Sequence, residues 1–153
     1  MEGAARSEID GVRIKQLVRH CDERGYFMEV LRNDDALLER FGQSSFTMSY
    51  PGVIKAFHWH EKQYDLWFIC RGEARVVLYD LRPESPTYHK IQEIFTGERE
   101  PMLIVIPPHV AHGYQVLGNE PVCLFYHTTE SYDRDNPDEG RLAYDDPEIS
   151  FPW

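Results

Sequence analysis

The sequence predicts an all-β domain, a double-stranded β-helix or jelly-roll barrel with one or two short helices. Three observations carry that prediction. Ten short segments are rich in β-branched and aromatic residues, the separators between them are rich in Gly, Pro, Asp and Ser, and helical periodicity is almost absent.

In chain order the predicted strands are residues 12–18, 26–31, 45–49, 52–58, 66–71, 74–80, 90–95, 102–106, 112–117 and 122–128. The breakers include Tyr50-Pro51-Gly52, Arg71-Gly72-Glu73, Pro83-Glu84-Ser85-Pro86, Gly97, Pro107-Pro108 and Gly118-Asn119. Many short strands at this spacing fold as a sandwich or a barrel, of which the jelly roll is one form. One helix is expected over residues 33–41. There Asn33 caps the start, Asp34 and Asp35 suit the positive end of the dipole, Gly42 ends the helix, and Leu37, Leu38 and Phe41 form its buried side. The tail from Ser131 is acidic and Pro-rich but ends apolar in Ile149, Phe151 and Trp153, so it is expected to dock on the barrel.

The chain has 153 residues, which suits one domain spanning 1–153 with a sizeable core. Hydrophobic residues make up 42% and aromatics 13%, a composition that opposes disorder. The net charge of −10 argues against nucleic-acid or anionic-membrane partners, which need a basic surface. It leaves room for an anionic small molecule held by a few cations in one pocket. Cys21, Cys70 and Cys123 are odd in number and widely spaced, with no CxxC pair. Cys70 and Cys123 sit in apolar runs and are expected to be buried thiols. With no disulfide framework, no apolar leader in MEGAARSEID and no long apolar run, a cytoplasmic location is expected.

The most informative stretch runs from Gly52 to Gly72. If residues 52–60 are extended, Ile54, Ala56, His58 and His60 share one face, while Lys55, Phe57 and Trp59 share the other. The spacing of His58, His60 and Asp65 resembles the first cupin motif, G-x5-H-x-H-x4-E-x6-G. Pro107 through Gly113 resembles the second, P-x-G-x2-H, with His109 where a Gly is expected. His58, His60, Asp65 and His112 are therefore one candidate metal-ligand set, suited to Fe(II), Mn(II), Ni(II) or Zn(II). A bland reading stands beside it, because strand histidines are often hydrogen-bonded structural residues.

A second pattern is collinear from about residue 11 to the end. Asp22-Glu23-Arg24-Gly25-Tyr26-Phe27-Met28-Glu29 is similar to the DERGFFxE segment of the dTDP-4-dehydrorhamnose 3,5-epimerase family. Residues 52–58, GVIKAFH, resemble its GVLRGLH. Arg71-Gly72-Glu73, Asp80-Leu81-Arg82 and Ser85-Pro86-Thr87-Tyr88 resemble its RGE, DLR and SPTF. Further matches are Ile106-Pro107-Pro108 with Ala111-His112-Gly113-Tyr114, residues 125–132, and Asp145-Asp146-Pro147 through Trp153.

This resemblance implies inversion at a carbon beside a ketone. A base removes the α-proton, an acid returns one on the opposite face, and an enolate is stabilised between the two steps. By position the resemblance assigns the base to His58, the acid to Tyr126 and the His-orienting carboxylate to Asp146. Tyr126 alone reads as a core tyrosine, and Asp146 alone as a turn cap. The resemblance also places Arg24, Phe27, Glu29, Gln43, Lys55, His60, Asp65, His112 and Tyr132 at the substrate, some of them across a dimer interface. It implies a nucleotide-diphosphate sugar ligand, a homodimer and no cofactor.

Two positions depart from the family. Asp65 stands where the family has a lysine near the keto oxygen, and His60 stands where it usually has Gln. An ionised carboxylate there opposes an enolate unless it is protonated or bound to metal. Three readings remain open from sequence: a 4-keto nucleotide-sugar epimerase, a metallocupin, and a non-catalytic sugar-binding module.

Overall fold

The computed structural model describes residues 6–153, so residues 1–5 of the stretch read for an apolar leader lie outside it. The elements are β1 (Arg13–Gln16), β2 (His20–Asp22), β3 (Gly25–Phe27), a 3-10 turn (Asn33–Asp35), β4 (Gln43–Ser49), β5 (Ile54–Trp59) and β6 (Asp65–Arg71). They continue with β7 (Glu73–Asp80), β8 (Ile91–Gly97), β9 (Met102–Ile106), β10 (Val110–Leu117), β11 (Val122–Thr128) and β12 (Gly140–Arg141). Two five-stranded sheets, β1-β9-β6-β11-β4 and β12-β5-β10-β7-β8, face each other, and β2 and β3 form a separate hairpin. From β5 to β11 the chain passes repeatedly between the sheets. This is the expected jelly roll of the cupin type.

The strand sequences read as nearly continuous apolar runs because both faces of each sheet are covered. On β6, Trp67 and Ile69 point into the core between the sheets, with Val76, Leu78, Ile104, Val110, Tyr114 and Leu124. Leu66 and Phe68 point outward and join Leu103, Val105 and Leu17 under the segment carrying Met28, Val30, Leu31, Leu37 and Leu38. The second sheet has its own outer cover. There Phe57, Val77, Tyr79 and Ala111 pack against Ile149, Phe151 and Trp153 of the tail. Ile149 is 3% exposed, and burying a side chain of that size contributes about 1.5–3 kcal/mol, enough to hold the tail down.

Several expectations are corrected. The helix over residues 33–41 is only the 3-10 turn, with Arg32 rather than Asn33 at its N-cap and Ala36 left-handed at φ 55. A single short turn nucleates poorly. Asp35 Oδ2 accepts the Arg32 N–H at 2.8 Å and also pairs with Lys15 Nζ at 2.5 Å, while Leu37 and Leu38 pack on the sheet. Phe41 is exposed, and Gly42 bonds to the Thr128 carbonyl instead of ending a helix. Cys123 is buried, but Cys70 only partly. The predicted strand 26–31 shortens to three residues, and β2 and β12 are too short and polar to carry a strand pattern.

Candidate active site

The core between the sheets does not fill the barrel. Trp67, Tyr114 and Leu124 form both its last layer and the floor of a cavity of about 730 Å³. Strands β5 and β10 supply one wall and β11 and β4 the other. The loop over residues 131–139 forms the rim, and it joins the wall through β12, which pairs with β5 as Gly140↔Trp59 and Arg141↔His58.

Strict alternation would have put Lys55 on the opposite face from His58. The β5–β10 register slips between the pairs His112↔His58 and Tyr114↔Lys55, giving β5 one residue more than its partner. Lys55 and His58 therefore both line the cavity, while Ala56 and Phe57 face the outer cluster. Gly113 sits at the slip. A Cβ there would meet Ala56 Cα at 2.7 Å, so only glycine lets the strands close.

Of the residues expected at the site, Gln43, Lys55, His58, His60, Asp65, His112, Tyr126 and Tyr132 line this cavity. Gln43 Oε1 accepts the Tyr132 N–H at 2.7 Å, and Lys55 Nζ lies 3.4 Å from Thr47 Oγ1. Tyr126 stands on the wall facing His58, half-buried, and burial pushes its hydroxyl above the ordinary tyrosine range. It is therefore a neutral O–H donor near pH 7.

Asp146 is not beside His58. Its Oδ1 accepts the Glu148 N–H at 2.9 Å in the turn before the tail. Glu139 occupies the expected place instead, with Oε1 2.6 Å from His58 Nδ1. Burial raises the Glu139 carboxyl, but hydrogen bonds from His58 and Arg141 outweigh that and hold it below the ordinary value. An ionised carboxylate only accepts, so Nδ1 carries the hydrogen, and the neutral form of the imidazole has its lone pair on Nε2. Sequence reasoning missed Glu139 because it lies in a polar loop with no periodicity. Its only signal is the Glu139-Gly140 step. A Cβ at Gly140 would overlap the Trp59 ring at Cε2 and Cζ2.

Asp138, also unforeseen, ties the rim to the loop after β5. Its carboxylate accepts the N–H groups of Glu61, Lys62 and Gln63 at 2.7, 3.0 and 3.0 Å, and its carbonyl takes His60 Nδ1 at 2.5 Å.

Arg24, Phe27 and Glu29 lie outside this chain's cavity, on the β2–β3 hairpin and just after it. Arg24 pairs with Asp22 at 2.5 Å, Glu29 with Arg32 at 3.0 Å, and Phe27 is 62% exposed. The hairpin is a two-stranded sheet of its own, and its residues are exposed.

The departures Asp65 and His60 meet at the cavity floor beside His112. His60 Nε2 is 3.5 Å from Asp65 Oδ1, and His112 Nε2 is 3.6 Å from Asp65 Oδ2. Asp65 is 3% exposed. Burial raises its carboxyl, but His60, His112 and Gln63 outweigh that and keep it below the ordinary value, so it is ionised and not protonated. For His60, burial lowers the imidazole and Asp65 outweighs it, for a net rise; for His112, burial dominates and lowers it to about 4. Near neutral pH the trio holds one carboxylate, a charge-favouring His60 and a neutral His112. The expected four-ligand metal set is corrected too. His58, held by Glu139, stands apart from the group of three.

The family model for dTDP-4-dehydrorhamnose 3,5-epimerase matches residues 6–153. The chain is similar to the spore coat polysaccharide biosynthesis protein SpsL of Bacillus subtilis, 56% identical over 145 residues covering 95% of this chain and 96% of that one. It is 37% identical to a probable low-salt glycan biosynthesis epimerase of Haloferax volcanii, over 95% of this chain and 94% of that one. Its fold superposes with a TM-score of 0.85 on the dTDP-6-deoxy-D-glucose-3,5-epimerase of Legionella pneumophila, crystallised with dTDP-4-keto-L-rhamnose. That match covers 96% of this chain and 80% of that one at 27% identity. With jelly roll, cavity and collinear motifs in agreement, the chain belongs to the dTDP-4-dehydrorhamnose 3,5-epimerase family of sugar epimerases.

Proposed function

We propose that this enzyme epimerises a 4-keto-6-deoxy nucleotide sugar by proton transfer between His58 and Tyr126. The observation that carries the reading is their placement. His58, oriented by Glu139, and Tyr126, kept neutral by burial, stand on facing walls of one cavity. His58 Nε2 takes the proton from the carbon beside the ketone, and the C–H electron pair moves onto the keto oxygen as an enolate. The enolate then collapses, and the Tyr126 O–H delivers a proton to the opposite face of that carbon. Solvent restores Tyr126 and carries the proton away from His58. Inversion leaves the oxidation state unchanged, so the chemistry needs no redox cofactor.

Glu139 supports the imidazolium that forms on His58. Lys55, Lys62 and Arg141 are the cations around the cavity and serve the diphosphate. Lys55 does so as a point charge without the bidentate fork of an arginine. A cavity of about 730 Å³ suits a nucleotide sugar whose nucleoside extends past the rim. The relatives' names, which speak of coat polysaccharide and glycan biosynthesis, support a nucleotide-sugar substrate.

We further propose a cytoplasmic homodimer, in which Arg24, Phe27 and Glu29 reach the partner's cavity. Phe46 and Met48 on edge strand β4 are 62% and 47% exposed and supply an apolar face for pairing.

The test is incorporation of solvent deuterium at C3 or C5 across a panel of 4-keto-6-deoxy sugar nucleotides, read by NMR. Exchange that disappears in His58→Ala is expected. No exchange across the panel, or exchange indifferent to His58→Ala, refutes the mechanism. Binding without exchange points instead to a sugar-binding module.

A further inference from the structure

We propose that His60, Asp65 and His112 form a binding site for one divalent first-row transition cation of the Zn(II) or Fe(II) class. Hydrogen-bond accounting at the cavity floor leads there. His60 Nδ1 faces the Asp138 carbonyl at 2.5 Å, and His112 Nδ1 faces the Val110 carbonyl at 2.9 Å. A carbonyl only accepts, so both Nδ1 atoms carry hydrogen, and each imidazole in its neutral form offers Nε2 as the electron pair; Gln63 Nε2 reaches that of His60 at only 3.4 Å. Both Nε2 atoms converge on Asp65, at 3.5 and 3.6 Å from its two oxygens. Two lone pairs aimed at a carboxylate repel unless positive charge lies between them.

A proton on His60 answers only one of the two. His112 Nε2, on a side chain 3% exposed, would still face Asp65 Oδ2 at 3.6 Å. A single cation placed among the three answers both. One ligand atom from each residue lies within 4.8 Å of the others. Ligands held at about 2.0–2.1 Å around a tetrahedral ion stand about 3.3–3.4 Å apart; the two histidine–carboxylate distances of 3.5 and 3.6 Å are close to that, and the ligand atoms, all within 4.8 Å, close the rest by side-chain rotation.

Backbone carbonyls that fix the non-ligating nitrogen of each histidine are the outer shell such a site needs. Gln63 Nε2 donates to Asp65 Oδ1 at 2.8 Å and Trp67 Nε1 to Oδ2 at 3.1 Å. These bonds orient the carboxylate and leave lone pairs on both oxygens. Two imidazoles and one carboxylate suit Zn(II), Fe(II), Co(II) or Mn(II) better than Mg(II) or Ca(II), which prefer all-oxygen shells. The remaining coordination positions face the cavity shared with His58. Binding at this site stands independently of the epimerase reading.

The probe is Co(II), whose visible d–d bands report imidazole-carboxylate ligation, followed by displacement with Zn(II). Chelator-treated full-length protein is loaded, dialysed and assayed for bound metal, with thermal unfolding followed in parallel. Stoichiometric Co(II) with d–d bands, displaced by Zn(II), and a higher Tm with metal are expected in the wild type. His60→Gln, checked for folding by circular dichroism, is expected to lose the bands and the Tm rise. Wild-type protein that retains no stoichiometric Co(II) or Zn(II) overturns the proposal without any variant. A folded His60→Gln with unchanged bands and Tm rise overturns it equally.

Discussion

Exchanging Glu139 for Gln tests the proposed role of Glu139 beside His58. The substitution keeps an acceptor oxygen within reach of His58 Nδ1 and removes the negative charge. In the proposed mechanism His58 gains positive charge as it takes the α-proton, so the loss falls on the transition state and not on substrate binding. A hydrogen bond to a charged group contributes about 1.5–3 kcal/mol. The two side chains are 36% and 26% exposed, so water screens the pair and the lower part of that range applies. About 1.5–2 kcal/mol corresponds to a roughly 10- to 30-fold fall in kcat/KM with little change in KM. The assay is the rate of deuterium wash-in at limiting and saturating substrate, with Asp146→Asn run beside it. Asp146 only caps the turn to Glu148, so its variant should stay close to wild type. A rate for Glu139→Gln within roughly twofold of wild type, or a larger fall in Asp146→Asn, refutes the pairing.

Tyr126→Phe should retain deuterium wash-in by His58 while forming inverted product roughly 100-fold more slowly or worse, as expected for loss of a general acid. Chiral analysis of the product checks this, and unimpaired inversion removes Tyr126 from the mechanism. Gly140→Ala should cost about 1–3 kcal/mol, because the new methyl overlaps the Trp59 ring, and it should lower catalysis by shifting Glu139. Urea titration and the exchange assay together check it, and a urea midpoint unchanged from wild type refutes the close packing. Asp80 concerns the acid limb of stability. It is fully buried; burial raises its carboxyl, but hydrogen bonds from Arg82, Ser85 and Thr87 outweigh this and hold it far below the ordinary 3.8. The folded value lies below the unfolded one, so this stabilisation is complete above about pH 5 and is lost as pH falls through the folded value. Asp80→Asn should therefore be less stable by about 1–3 kcal/mol at pH 7, with a flatter decline toward pH 3. Parallel acid limbs in urea titrations refute that.

The jelly roll was legible because burial on both faces leaves long β-branched runs, and because turns need Gly, Pro and Asp. Strands β9 and β11 fall at their predicted bounds for that reason. The cavity walls were legible too, since His58, His60, Asp65, His112 and Tyr126 sit on such strands at recognisable spacings. The short helix was not. Its apolar residues found the outer face of the first sheet, and Asp35 found Lys15, contacts distant in sequence that outweigh a weak local preference.

What the sequence determined by itself was the fold, the family, and which strands carry the reacting groups, all properties of local pattern and spacing. The tertiary structure decided the partnerships. It gave His58 to Glu139 in place of Asp146, and it brought Lys55 beside His58 through a one-residue slip opposite Gly113. It also gathered His60, Asp65 and His112 on one floor while holding His58 apart. A hydrogen bond across 81 residues of chain depends on where a loop is tethered, here by Asp138 on three backbone amides, and spacing along the chain carries no record of that tether.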